Sequence, residues 1–132
     1  MGKYLGLALN KANELSTKTH RQRLYAIVTD KRGKILGEGG NSFTKTSPMT
    51  WMYGCKSGNM HKTHTHAEIL SIVRAARVGG KPYAIYVARA LKNTKGGLSM
   101  PCPACRFAIE EAGIKKIFYI GNNEEEVVEC LK

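Results

Sequence analysis

Two short segments of this sequence concentrate the side chains that can do chemistry. His66-Ala67-Glu68 places an imidazole and a carboxylate two residues apart, and Pro101-Cys102-Pro103-Ala104-Cys105 places two thiols in a C-x-x-C spacing. Without a secretion signal, that spacing reads as metal or redox chemistry rather than a disulfide framework. Each segment sits where the hydrophobic pattern delivers the chain into a helix N-terminus. Unpaired backbone N–H groups and the helix dipole favour negative charge there, and they lower thiol pKa values in preparation for a metal. One imidazole and two thiolates make three ligands of a tetrahedral zinc. The fourth position stays open for water, which is the catalytic arrangement. A carboxylate two residues after the histidine is placed near that water rather than on the metal. The competing reading is a structural zinc with Glu68 incidental. It requires a fourth protein ligand, and His64, two residues before His66, is the candidate. Cys130, in the acidic tail, reads as a small apolar residue.

The elements that must hold these segments follow from periodicity. Lys3 to Ser16 carries Tyr4, Leu5, Ala8, Leu9, Ala12 and Leu15 at helical spacing. Arg23 to Asp30 is a strand, Lys31-Arg32-Gly33-Lys34 a turn, and Ile35 to Gly39 a short returning strand, together a hairpin. Residues 40–64 form a long polar loop, and loops of that length are functional or mobile. From Thr65 a helix runs to Gly79-Gly80, with Ala67, Leu70, Ile72, Val73 and Ala76 as its apolar positions. Tyr83 to Ala90 is a buried strand, Leu91 to Met100 a loop, Cys102 to Ala112 a helix stopped by Gly113, and Ile114 to Ile120 a strand. Glu124 to Leu131 reads as a short helix, with an edge strand as the alternative. Glu124, Glu125 and Glu126 would then open that helix, where the dipole welcomes carboxylates. The order α-β-β-α-β-α-β-α predicts a three-layer α/β/α sandwich. Its first two strands should be antiparallel and its later crossovers parallel.

Length and composition bound the rest. A chain of 132 residues with 42% apolar residues fits one domain, 1–132, and excludes wholesale disorder. The longest glycine-free apolar run, Tyr83 to Ala88, has six residues. A membrane span needs about 20, so none is expected. The start, Met-Gly-Lys-Tyr-Leu, lacks the apolar core of a signal peptide, and the expected location is cytoplasmic. Twenty-one basic residues against ten acidic ones give +11. Residues 1–109 hold eighteen basic and four acidic residues, a difference of +14, while 110–132 hold three and six, a difference of −3. A body this basic favours anionic partners, nucleotide phosphates or nucleic acid; the alternative is a solvated surface.

His66-x-Glu68 followed by Pro101-Cys102-x-x-Cys105 resembles the zinc-dependent cytidine/deoxycytidylate deaminase superfamily. Pro101 lies 33 positions after Glu68, room for a helix, a strand and a loop, and the element order agrees along nearly the whole chain. Gly37-Glu38-Gly39-Gly40-Asn41 resembles the family's Gly-x-x-Asn segment. The resemblance implies a cytidine deaminase-like fold with a central mixed sheet of four to five strands, and one catalytic Zn²⁺ on His66, Cys102 and Cys105. It implies that Glu68 shuttles protons while water attacks the amino-bearing ring carbon and ammonia leaves. Substrate contacts would come from Asn41, on the sugar, and from Phe43, Ala67 and Pro101. The implied substrate is a small-molecule cytosine nucleotide or nucleoside, first of all free dCMP or CMP, with Lys45, Lys56 and Lys62 as candidate phosphate contacts. The expected assembly is a homo-oligomer.

Two alternatives are carried along. One is a deaminase acting on cytosine or adenine in single-stranded DNA or RNA, which the charge favours. The other is a non-catalytic, zinc-stabilised nucleic-acid-binding module, which would have no use for Glu68. In the 42–64 loop, Cys55, His61 and His64 are an incomplete ligand set for a second, structural zinc, beside the opposing cations Lys56 and Lys62. Phe43, Trp51 and Tyr53, which sit among Lys45, Lys56 and Lys62, could stack a base or simply anchor the loop. Arg106, directly after Cys105, is placed either near the thiolates or toward solvent.

Overall fold

A computed structural model describes residues 2–15, 23–40, 67–91 and 96–131 of the chain. These residues form three helices, α1 (Lys3–Asn13), α2 (Ala67–Val78) and α3 (Pro103–Glu111). They also form six strands: β1 (Arg23–Thr29), β2 (Ile35–Gly40), β3 (Ala84–Ala90), β4 (Gly96–Gly97), β5 (Lys116–Ile120) and β6 (Glu126–Cys130). The sheet order is β2-β1-β3-β5-β6, with the two-residue β4 paired to β3. β1 is antiparallel to both β2 and β3, and β3 is parallel to β5. β2 and β3 therefore run the same way, so the crossover through α2 joins parallel strands, as does the one through α3.

Strand side chains alternate between faces, and the sheet buries both. Ala26 and Val28 of β1, Ile85 and Val87 of β3, and Ile117 and Tyr119 of β5 face α2 and α3. Ile27, Ala88 and Ile120 face α1, meeting Leu5 and Ala8. Each strand interior is thus apolar on successive residues, the pattern of a sheet covered on two sides. This is the expected α/β/α sandwich. Five strands lie on the main path, and β4 adds a sixth inside the segment read as the Leu91–Met100 loop.

Two readings are corrected. Residues 126–130 are a strand, not a helix. Gly121 N–H donates to the Glu125 carbonyl at 2.8 Å and Glu124 adopts φ 62°, closing a hairpin that lays β6 along β5 over five residue pairs. Val127 and Val128 suit one face of a helical turn or two faces of a strand, and so short a segment cannot separate these by period. The open backbone edge of β5 decides it, because β6 supplies hydrogen-bond partners that a helix cannot.

The buried stripe of α2 also differs. Ala67, Glu68, Ile69, Ser71, Ile72 and Ala75 are buried, Leu70 and Val73 are half-buried and Ala76 is exposed. The helix is turned so that Ser71 and Ala75 press on β2 at Gly37, where a Cβ would collide with the Ser71 carbonyl and the Ala75 amide. Absence of a side chain at Gly37 lets the backbones of strand and helix approach and sets the height of α2 above the sheet.

Candidate metal and catalytic centre

Helices α2 and α3 lie side by side on one face, with both N-termini at the same end of the sheet. The ordering of contacts shows this: Gly39 of β2 faces Leu70, Gly37 faces Ala75, and Leu36 faces Gly80, so α2 descends as β2 is read backwards. Its first turn therefore stands at the Gly40 end. Glu68 occupies that first turn and is only 4% exposed. Such a carboxylate costs free energy to bury unless something nearby uses its charge.

α3 begins with Cys102 as its N-cap, at φ −71° and ψ 168°, followed by Pro103. Proline is tolerated at that position because its missing N–H would have no helical partner. The Arg106 amide donates to the Cys102 carbonyl at 2.8 Å, closing the first turn. That turn brings Cys105, which is fully buried, back over Cys102. The Cys105 thiol is pushed well above its ordinary pKa. A hydrogen bond with Cys102 is the main cause, followed by burial and by the negative charge of Glu68, which also hydrogen-bonds it. Glu68, Cys102 and Cys105 thus meet across the gap between the two helices.

Three groups that become anionic on losing a proton crowd into one poorly hydrated place, and a cation is what reconciles them. Two sulfurs are borderline-soft donors of the kind zinc takes, and the imidazole of His66 directly precedes α2 in sequence. The donor set fits zinc. Among the described residues alone, no three His, Cys, Asp or Glu side chains form a metal-holding group; His66 lies outside them. Asn41, Phe43, Lys45, Trp51, Tyr53, Cys55, Lys56, His61, Lys62 and His64 also lie outside the described residues. Ala67 and Pro101 are buried at the starts of α2 and of the Pro-Cys segment.

Arg106 points to neither of its two expected places. Its guanidinium donates to Glu129 of β6 at 2.6 Å, and the Tyr119 hydroxyl donates to the other oxygen of the same carboxylate at 3.3 Å. The first turn of α3 is thereby tied to the edge strand. Cys130 is exposed at the end of that strand rather than packed as an apolar residue. Ser71, whose hydroxyl donates to the Glu68 carbonyl at 2.7 Å, and Glu129 were not among the expected site residues. Nothing in their residue type marks them: the Ser71 bond is a local contact one turn back in α2, and Glu129 meets Arg106 only because the fold brings β6 beside α3.

This fold, helices on both faces of a mixed sheet with Glu68 and the Cys102–Cys105 turn at neighbouring helix N-termini, is the cytidine deaminase-like α/β fold. Residues 2–121 match the model of the family described as the cytidine and deoxycytidylate deaminase zinc-binding region, and the chain belongs to that family of deaminases. Among solved structures it resembles the dCMP deaminase from the cyanophage S-TIM5 in its apo form. The TM-score is 0.54 at 20% identity, over 94% of this chain and 87% of that one. No curated protein matches the chain in sequence. Among the described residues, no helix is long and apolar enough to cross a membrane.

Proposed function

We propose that the chain is a zinc-dependent hydrolytic deaminase of a free cytosine nucleotide, dCMP or CMP, which it converts to the uracil nucleotide and ammonia. The meeting of Glu68 with Cys102 and Cys105 at two adjacent helix N-termini carries this reading. His66, Cys102 and Cys105 would hold the metal. Zinc, when bound, supplies a Lewis acid that makes water a nucleophile near neutral pH. Glu68 accepts a proton from the attacking water and delivers it to the ring nitrogen, then takes the remaining proton of the added hydroxyl and passes it to the departing amine. Its burial suits that work, since a carboxylate screened from solvent exchanges its proton with the reactants. Asn41, next in sequence after β2, would contact the sugar, and Ala67, Pro101 and Phe43 would border the base. Lys45, Lys56 and Lys62 would meet the phosphate. The name of the cyanophage neighbour, a dCMP deaminase, supports a mononucleotide substrate. A single domain spanning 1–132, a cytoplasmic location and assembly as a homo-oligomer belong to the same proposal.

The net charge of +11 favours a second reading, in which the cytosine or adenine lies in a single strand of DNA or RNA. A non-catalytic binding module is disfavoured by Glu68, because binding alone gains nothing from a buried carboxylate beside two thiols. Ammonia release from a panel of nucleosides, nucleotides and single-stranded oligonucleotides decides among the three. Turnover of dCMP or CMP above all others is the expected result. Preference for an oligonucleotide overturns the substrate, and no release from any member overturns the deaminase.

A further inference from the structure

The segment that delivers the two cysteines leaves β3 at Ala90 and returns as β4, pairing Gly96 with Ala90 and Gly97 with Arg89. It then passes Ser99 and enters α3 at Cys102. Ser99 is 3% exposed between two exposed apolar neighbours, Leu98 and Met100, so it is held inward against the hydrophobicity of the local sequence. Its hydroxyl donates to the Val87 carbonyl of β3 at 2.7 Å and accepts from the Ile120 amide of β5 at 2.8 Å. Its own amide donates to the Ile120 carbonyl at 3.0 Å. The residue-to-residue register of β3 and β5 ends one step earlier, at Val87 and Tyr119. The serine hydroxyl therefore joins the two parallel strands where their direct pairing stops. Gly96 supports the arrangement: a Cβ there would stand 2.7 Å from the Ile120 side chain, so its absence lets β4 lie down over the end of β5.

We propose that Ser99 is a positioning residue for the metal ligands, fixing where Cys102 and Cys105 stand relative to Glu68. This rests on the zinc reading above. Three hydrogen bonds anchor the chain to β3 and β5 only three residues before Cys102, and the intervening Pro101 restricts that short link further. α3 starts at the point so fixed, and its first turn carries Cys105 onto Glu68. Without the hydroxyl, Val87 and Ile120 keep buried polar groups with no partner, and the segment must shift to satisfy them. A shift at Ser99 is a shift of both sulfurs, because no turn or flexible linker lies between.

The test measures zinc release from the intact protein to a chromophoric chelator, well below the unfolding temperature. Ser99→Ala should release zinc roughly tenfold faster or more, the range seen when groups orienting metal ligands are removed. Ile27→Val, a core change on the α1 face, controls for general destabilisation and should release zinc at the wild-type rate. Release from Ser99→Ala at the wild-type rate, or an equal acceleration in Ile27→Val, overturns the inference. A second measurement needs no variant. If the clamp and the metal are coupled, the coupling is reciprocal, and removing zinc from the wild type should speed hydrogen exchange at the Ile120 amide more than at the Ile27 amide. An Ile120 amide indifferent to zinc overturns the inference. A wild type that holds no zinc overturns the metal reading itself, so the two failures are told apart in the first control.

Discussion

The two ends of helices α2 and α3 are built from different materials. At their N-termini stand a carboxylate and two thiols, buried or half-buried and in contact. At the other end the surface is exposed and mixed in sign: α3 finishes on Glu110 and Glu111 with no basic residue in its last turn, and the cations stand at the end of α2 and in the adjoining loops. Arg77 and Lys81 lie at the end of α2 and Lys115 beyond α3, with Lys31, Arg32 and Lys34 in the neighbouring β1–β2 turn. The helix dipole predicts this sorting for α2, with Glu68 at its start and Arg77 at its end, but not for α3, whose last turn is acidic. It does not predict the difference in burial. At the exposed end water and salt screen every charge, and the arrangement is worth little to stability or chemistry. At the anionic end the same dipoles act where water is excluded, so each charge is expensive and must be answered by a metal or a proton. Burial, rather than charge, separates a reactive end from a solvated one.

The largest expected effect comes from the reactive end. Glu68→Gln keeps the shape but cannot shuttle a proton. General acid–base groups contribute about 10²–10⁴-fold each, so kcat should fall at least that far while zinc content and circular dichroism stay unchanged. A variant with near wild-type turnover would falsify the proton-shuttle role. Next comes Cys102→Ser, in which a hard oxygen replaces a thiolate donor. Elemental analysis should find most of the zinc gone; full retention would remove Cys102 from the ligand set.

How α2 is held yields a smaller, structural effect. Gly37→Ala forces a methyl against the Ser71 carbonyl and the Ala75 amide, which are backbone atoms and cannot turn aside. Overpacking of this kind costs about 1–3 kcal/mol. The displaced helix carries Glu68 with it, so kcat should fall by more than KM rises. Denaturant titration and steady-state kinetics together check both parts. A loss of stability with kcat intact would mean that α2 yields without moving its first turn.

The site proposed as reactive was the more legible part of the sequence, for a physical reason. Zinc and proton transfer accept few residue types, so His66, Glu68, Cys102 and Cys105 stand out by identity and spacing. The parts that hold them were less legible. The buried face of α2 includes Glu68 and Ser71, polar residues that an apolar count assigns to solvent, and so Ala76 was placed inside in their stead. The strand β6 was hidden because its five residues span less than two turns of a helix and so cannot exclude one, and its pairing depends on the distant edge of β5. Ser99 and Glu129 act on backbone atoms and on a guanidinium that only the fold brings close, and a serine or glutamate is unremarkable on any surface. The three-layer order was readable because Leu5, Ala8 and Ala12 recur at helical spacing and Ile85 to Ala88 and Ile117 to Ile120 are consecutively apolar, and the burial of these residues outweighs local detail.

The smallest expected effect tests the exposed end. Replacing Lys31, Arg32 and Lys34 together by glutamate changes the charge by six, from +11 to +5. The turn that carries them adjoins the start of β2, and α2 spans the distance from there to Glu68. Its twelve residues correspond to about 18 Å. At physiological salt the Debye length is about 8 Å, so charges at that distance are largely screened from the site. For a free mononucleotide, kcat/KM should therefore change by less than about twofold. A polynucleotide is longer than this separation and would feel both ends at once. Each phosphate it neutralises contributes a slope of about −0.7 in log affinity against log salt, so the triple variant should lose affinity for an oligonucleotide and flatten that slope. If dCMP turnover survives the charge reversal while oligonucleotide binding was weak from the start, the exposed end is a solvated surface and the comparison stands. If the reversal instead abolishes a strong, steeply salt-dependent oligonucleotide affinity, the exposed end takes part in function. Burial would then no longer be what separates the two ends, because a chain of phosphates can join them.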